Sequence, residues 1–136
     1  MIAACTSAFG SVPQEDPLIG TKAVLESLNG HEPLKDTEII AEFVEYEHGP
    51  RVIGSTGCNQ YVLRYQQDGN HLAISQEDDP TKQGVVTQLL CVEPEGAMEQ
   101  EYLNTLKEVA SFQTIADRLE MQNQAGQTIL VFKKME

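Results

Sequence analysis

Arg51-Val52-Ile53-Gly54-Ser55-Thr56-Gly57-Cys58-Asn59-Gln60-Tyr61-Val62-Leu63-Arg64-Tyr65 is the stretch around which the rest of the chain is read. From Asn59 onward Tyr61, Leu63 and Tyr65 fall on one face of a strand, and Gln60, Val62 and Arg64 fall on the other. Gly54 and Gly57 interrupt what would otherwise be one continuous strand. Glycines so placed serve a bulge or bend, or admit a second backbone at close range. Cys58 and Asn59 come directly after that bend.

The flanks continue the strand pattern. Thr37–Glu45 is β-branched and aromatic, with Ile39, Ala41 and Phe43 along one face. Glu47-His48-Gly49-Pro50 turns it back into the central stretch as a hairpin. Asp68-Gly69 is a tight-turn signal, and His71–Ser75 is the returning strand. Further out, Leu18–Leu28 fits helix and strand about equally before the Asn29-Gly30 turn. Asn29–Asp36 reads as a loop, and so does the acidic segment Gln76–Gln83. Glu77-Asp78-Asp79 within it lacks the ligand spacing of a calcium loop. Gly84–Cys91 reads as a buried strand. From Ala97 to Ala110 the period becomes helical, with Met98, Tyr102, Leu106 and Val109 in one stripe. Phe112–Ile115, Asp117–Asn123 (Leu119 and Met121 inward) and Thr128–Lys133 read as closing strands. Short strands, tight turns and one late helix make a mostly antiparallel α+β fold. About seven to nine such strands bury enough apolar surface only if the sheet curls or packs on the helix.

Gly54-Ser55-Thr56-Gly57-Cys58-Asn59-Gln60-Tyr61 resembles the signature of the META domain family of HslJ-like heat-shock proteins. A second matching block, Thr87-Gln88-Leu89-Leu90-Cys91, leads into Pro94–Glu101. The motif positions are Gly54, Gly57, Cys58, Asn59, Tyr61, Thr87 and Cys91. The resemblance implies a strongly bent, partly barrel-like antiparallel sheet with one helix packed against it. It also implies that Leu18–Leu28 is a strand, in which the family usually carries a Trp near the position of Ala23. Family members are often envelope lipoproteins linked to stress tolerance, and the family carries no settled biochemical activity.

Composition sets outer limits. A 136-residue chain is expected to form one domain, here 18–136 behind a tether of 1–17. With 9 basic against 21 acidic side chains the net charge is −12, which excludes the basic stripe that nucleic acid requires. The same balance disfavours docking on anionic lipid. No apolar run reaches the length of a transmembrane span.

Ile2-Ala3-Ala4-Cys5 has the form of a lipobox, followed by a small, polar, proline-punctuated stretch suited to a tether. A lipid anchor at Cys5 and a chance resemblance in a free tail both remain open. If Cys5 is lipidated, Cys58 and Cys91 are left as a pair. They form either a disulfide closing a loop of about 34 residues, worth roughly 3–4 kcal/mol, or two buried thiols. No metal site is expected, since there is no Cys-x-x-Cys and His31, His48 and His71 are scattered. No catalytic group and no cofactor are expected either. There is no Gly-x-Ser-x-Gly elbow, and Gly54 and Gly57 do not form a phosphate loop.

The expected function is that of a monomeric, non-enzymatic binding or interaction domain of the cell envelope or periplasm, its partner an envelope protein. A carrier of a small apolar, lipid-like ligand is the alternative. A thiol enzyme, with Cys58 activated by a histidine and oriented by Asn59, is a second alternative; a buried or bridged Cys58 would eliminate it.

Overall fold

Alternating apolar residues become the inner faces of antiparallel strands in the computed structural model, which describes residues 17–47, 49–75, 85–87 and 90–135. The strands are β1 (Lys22–Leu28), β2 (Ile40–Tyr46), β3 (Gly49–Ser55), β4 (Gln60–Asp68), β5 (His71–Ser75), β6 (Val85–Val86), β7 (Ser111–Ile115), β8 (Arg118–Gln122) and β9 (Thr128–Lys134). One helix, α1 (Glu95–Leu106), lies between β6 and β7. Each of β1, β2, β3, β4, β5, β7, β8 and β9 pairs with the next, and β9 pairs back to β1. The result is a closed eight-stranded antiparallel barrel with a single helix among the described residues. β6 adds to β4 at Tyr61 and Val62, beyond the reach of β5.

The ambiguous segment Lys22–Leu28 is a strand because it has a partner on each side, β2 and β9. Closing the sheet removes its edges, and that gain depends on partners distant in sequence. Eight strands leave an interior just wide enough for side chains to fill. Phe43, Tyr61, Leu63, Phe112, Leu119 and Phe132 fill it, each at most 1% exposed. Burying a side chain of this size stabilises by roughly 1.5–3 kcal/mol.

The seam between β5 and β7 is short. It has the single register pair His71–Ser111, flanked by bonds from Leu72 N–H to Ala110 O and from Phe112 N–H to Asn70 O. α1 lies across the mouth formed by the ends of β1 and β3 and the start of β4, tied there by Asn29 to Glu101 and by Thr56 and Asn59 to Glu99. Met98, Tyr102, Leu103 and Leu106 carry its buried face. The helix is shorter than the apolar stripe: Val109 is buried but follows the last turn. Glu93 caps the other end, its Oε1 accepting from Ala97 N–H at 3.1 Å.

One expectation is corrected. The buried strand read over Gly84–Cys91 is only Val85–Val86 among the described residues, and Leu90 is 98% exposed. Pairing along β4 ends where Thr87 N–H meets Gln60 O at 3.0 Å. By Leu90 the chain is out of the sheet and on its way to α1. His48 and the acidic segment at 77–79 lie outside the described residues.

Candidate functional site

The motif residues gather where sheet and helix meet. Gly54 pairs with Tyr61 across β3 and β4 and with Ala41 across β2 and β3. A Cβ at Gly54 would run into the carbonyl oxygen of Ile40, so this glycine is the close-approach kind. The same carbonyl accepts from Tyr61 Oη at 2.8 Å. Tyr61 Oη lies 2.6 Å from Tyr102 Oη. Tyr61 has one hydroxyl hydrogen and gives it to Ile40, so Tyr102 donates to Tyr61. Burial pushes both phenols above their ordinary range. The rings of Tyr61, Tyr102 and Phe132 then run edge to face from β4 through α1 to β9.

Three residues after Gly54 the chain bends. Gly57 has φ +92, and a Cβ there would meet the methyl of Thr37. Thr56, 1% exposed, serves the bend's backbone: its N–H donates to Asn59 O at 2.8 Å and its Oγ1 accepts from Asn59 N–H at 2.9 Å. Thr56 Oγ1 in turn donates to Glu99 Oε2 on α1 at 2.5 Å. Asn59, 2% exposed, sends its amide across the junction. Nδ2 donates to Glu99 Oε2 at 2.8 Å, and Oδ1 accepts from Thr87 Oγ1 at 2.7 Å. Thr87 Oγ1 also accepts from Gln60 N–H at 3.0 Å. A buried amide with partners on both ends is worth keeping intact, since each orphaned group would cost about 1–3 kcal/mol.

Cys58 and Cys91 are joined in a disulfide, with Cα atoms 6.0 Å apart. It ties the bend to the segment that leads into α1. Asn59 Nδ2 lies 3.4 Å from Cys91 Sγ and 3.7 Å from Cys58 Sγ. In this state Cys58 has no thiol to act as nucleophile. All seven motif positions therefore stand in one junction, and Asn59, directly after the bend, reaches the helix through Glu99. Cys5 lies outside the described residues.

Sequence reading missed three participants. Thr56 stands inside the Gly54–Tyr61 block without being one of its named positions, Glu99 lies within the Pro94–Glu101 block, and Tyr102 falls in the apolar stripe of the helix. The signal for Glu99 was slight: one acid at the start of a helix among several. A second tie to α1 comes from the Asn29-Gly30 turn. Asn29 Nδ2 donates to Glu101 Oε2 and to Thr105 Oγ1, each at 3.0 Å, and His31 Nε2 lies 3.1 Å from the same carboxylate. The Asn29 bond is the main reason Glu101 titrates below its ordinary value, and the Glu101 bond the main reason His31 titrates above its own.

The clefts are open and lie on the outside. One of about 750 Å³ runs along the β5–β7 seam beside Gln67, His71, Leu72 and Val109. Another of about 420 Å³ lies on the outer face of β2, β3 and β4, beside Lys22, Glu42, Tyr46, Ile53 and Val62. Ile53 and Val62 are register partners there, both half-buried, and Tyr46 is 45% exposed. Among the described residues no helix is long and apolar enough to cross a membrane.

A family model described as META domain matches residues 16–136. Among solved structures, the chain is similar to a protein determined by NMR at 24% identity, over 85% of this chain and 90% of that one, with a TM-score of 0.60. It is also similar to a protein from Burkholderia xenovorans determined by NMR, at 21% identity over 98% and 99% of the two chains and a TM-score of 0.63. No curated protein matches.

Proposed function

The chain belongs to the META domain family, and on that premise we propose that it is a non-enzymatic interaction module of the cell envelope. In this reading it is a monomer, anchored by lipid at Cys5, that docks an envelope protein through the outer face of β2, β3 and β4. The observation that carries the proposal is where the motif side chains go. Tyr61 is bonded to Ile40 and Tyr102, Asn59 to Glu99 and Thr87, and Cys58 to Cys91. Such a junction holds a scaffold together and presents no free nucleophile. The half-buried Ile53 and Val62 beside the exposed Tyr46, flanked by Lys22 and Glu42, supply the apolar centre and charged rim of a docking face.

A lipid-like ligand would have to lie in an outer cleft, because side chains fill the barrel. A thiol enzyme would first have to open the bridge.

The test is a photo-crosslinking residue placed at Tyr46 or Ile53, and as a control at exposed Gln113 on β7, in the full chain expressed in cells. We expect a discrete protein adduct from the first two positions and none from Gln113. The adduct should persist when Cys58 and Cys91 are both replaced by Ser, at a temperature where that variant is folded. Cys5→Ser should move the chain out of the membrane fraction. An adduct lost with the two cysteines while the fold persists, or none from the β2–β4 face, sinks the docking reading. Unchanged fractionation of Cys5→Ser sinks the anchor.

A further inference from the structure

We propose that opening the Cys58–Cys91 bridge converts this junction into a zinc site, with the two thiolates and the Glu99 carboxylate as ligands. The three donor atoms already lie within 4.8 Å of one another. Cys91 Sγ and Glu99 Oε1 are 3.7 Å apart. In a tetrahedral site with Zn–S about 2.3 Å and Zn–O about 2.0–2.2 Å, a sulfur and an oxygen ligand stand about 3.5 Å apart. That edge of the coordination polyhedron is therefore in place before any metal arrives. The two sulfurs must separate to about 3.8 Å, the matching S–S edge, and Cα atoms 6.0 Å apart allow this by side-chain rotation.

The carboxylate is also oriented for the task. Oε2 is held by Asn59 Nδ2 at 2.8 Å and Thr56 Oγ1 at 2.5 Å, which turns Oε1 toward the sulfurs. Donors that hold the far oxygen of a ligating carboxylate fix its direction and are characteristic of metal sites. Cys58, Cys91 and Glu99 are each half-buried, so an ion can enter, and a fourth position remains for solvent. The ligands come from the bend after β3, the segment before α1 and the first turns of α1. Their spacing matches no Cys-x-x-Cys pattern, and only the fold brings them together.

The chemistry balances with a named reductant. A phosphine takes the bridge to two thiols and is itself oxidised to phosphine oxide, drawing the oxygen from water. Zinc then displaces the two thiol protons.

The experiment uses the full chain, reduced with a phosphine under anaerobic conditions and titrated with Co²⁺ as a spectroscopic stand-in for zinc. We expect one Co²⁺ per chain, a thiolate-to-cobalt charge-transfer band with tetrahedral ligand-field absorption, loss of both on adding Zn²⁺, and release of two protons per metal. The oxidised chain should show none of this. Glu99→Gln should keep the charge-transfer band but bind at least tenfold more weakly. Cys58→Ser should lose most of the band. Absence of the band in the reduced wild-type chain overturns the proposal, as does equal binding by the oxidised chain. So does a reduced chain that unfolds and is not refolded by zinc. Undiminished affinity in a folded Glu99→Gln removes the carboxylate from the site. None of these outcomes touches the docking face, so the interaction reading stands or falls separately.

Discussion

Tyr61 and Tyr65 point inward from the same strand, four residues apart, into opposite ends of one barrel. Tyr61 is 1% exposed and its hydroxyl bridges Ile40 O and Tyr102 Oη. Tyr65 is 3% exposed, packs edge-on against Phe43 with ring centroids 5.3 Å apart, and its hydroxyl has no hydrogen-bond partner among the described residues. Burial, with the Glu45 charge second, pushes its phenol up to about 12. The helix-capped mouth is thus a fully bonded polar junction, while the other mouth relies on packing. Family-motif residues concentrate at the first, and this is physically reasonable: buried polar groups specify one arrangement only when all of them are satisfied.

The largest effect that would test this contrast is removal of the bridge. Replacing Cys58 and Cys91 together by Ser is expected to lower the unfolding free energy by about 3–4 kcal/mol, since the bridge closes a loop with a sequence separation of 33. Urea unfolding of the oxidised wild type against the variant measures it. Thiol labelling of the unfolded, non-reduced chain should leave both cysteines unmodified. Labelling of both, or a loss below about 1 kcal/mol, would mean that the junction does not depend on the bridge.

Next comes the pair of tyrosines. Tyr61→Phe should cost about 2 kcal/mol, because it strands the Ile40 carbonyl and takes the acceptor from Tyr102. Tyr65→Phe removes a hydroxyl that bonds to nothing described, so it should change stability by less than about 0.5 kcal/mol, or raise it. Equal costs at the two positions would erase the distinction between the two ends of the barrel.

Much of the barrel was legible because its strands alternate cleanly: Leu119 and Met121 in β8, and Tyr61, Leu63 and Tyr65 in β4, point where their period says. The Asn29-Gly30 turn was legible for the same local reason, and both residues take positive φ, 51 and 87. Lys22–Leu28 was legible as a strand only through the family resemblance, since helix and strand periods both fit and the residues alone do not show their partner β9 at the far end of the chain. Gly84–Cys91 misled because an apolar run carries no sign that its last residues leave the sheet for the helix. Glu99 was invisible for a related reason. Its meaning rests on Thr56 and Asn59, 43 and 40 residues away, and no local pattern encodes such a meeting.

The smallest expected effect concerns the outer tie between the Asn29 turn and α1. His31 and Glu101 are 54% and 37% exposed, so their contact is screened and worth only a few tenths of a kcal/mol. Its pH dependence still has a definite sign. The His31 value is raised on folding, first by the Glu101 hydrogen bond, so its contribution is complete below the unfolded value of 6.5 and fades as pH rises through the folded one. The Glu101 value is lowered, first by the Asn29 hydrogen bond, so its contribution holds above the unfolded value of 4.5 and is lost as pH falls through the folded one. The two overlap between those unfolded values, on the order of pH 4.5–6.5. His31→Ala should therefore lower the urea midpoint slightly near the middle of that window and hardly at all at pH 8, where Asn29 still holds Glu101. An equal loss at both pH values would show that His31 acts by packing and not by charge. That would leave the Asn29 amide, like the Asn59 amide at the other end of the helix-capped mouth, as the bond that ties sheet to helix.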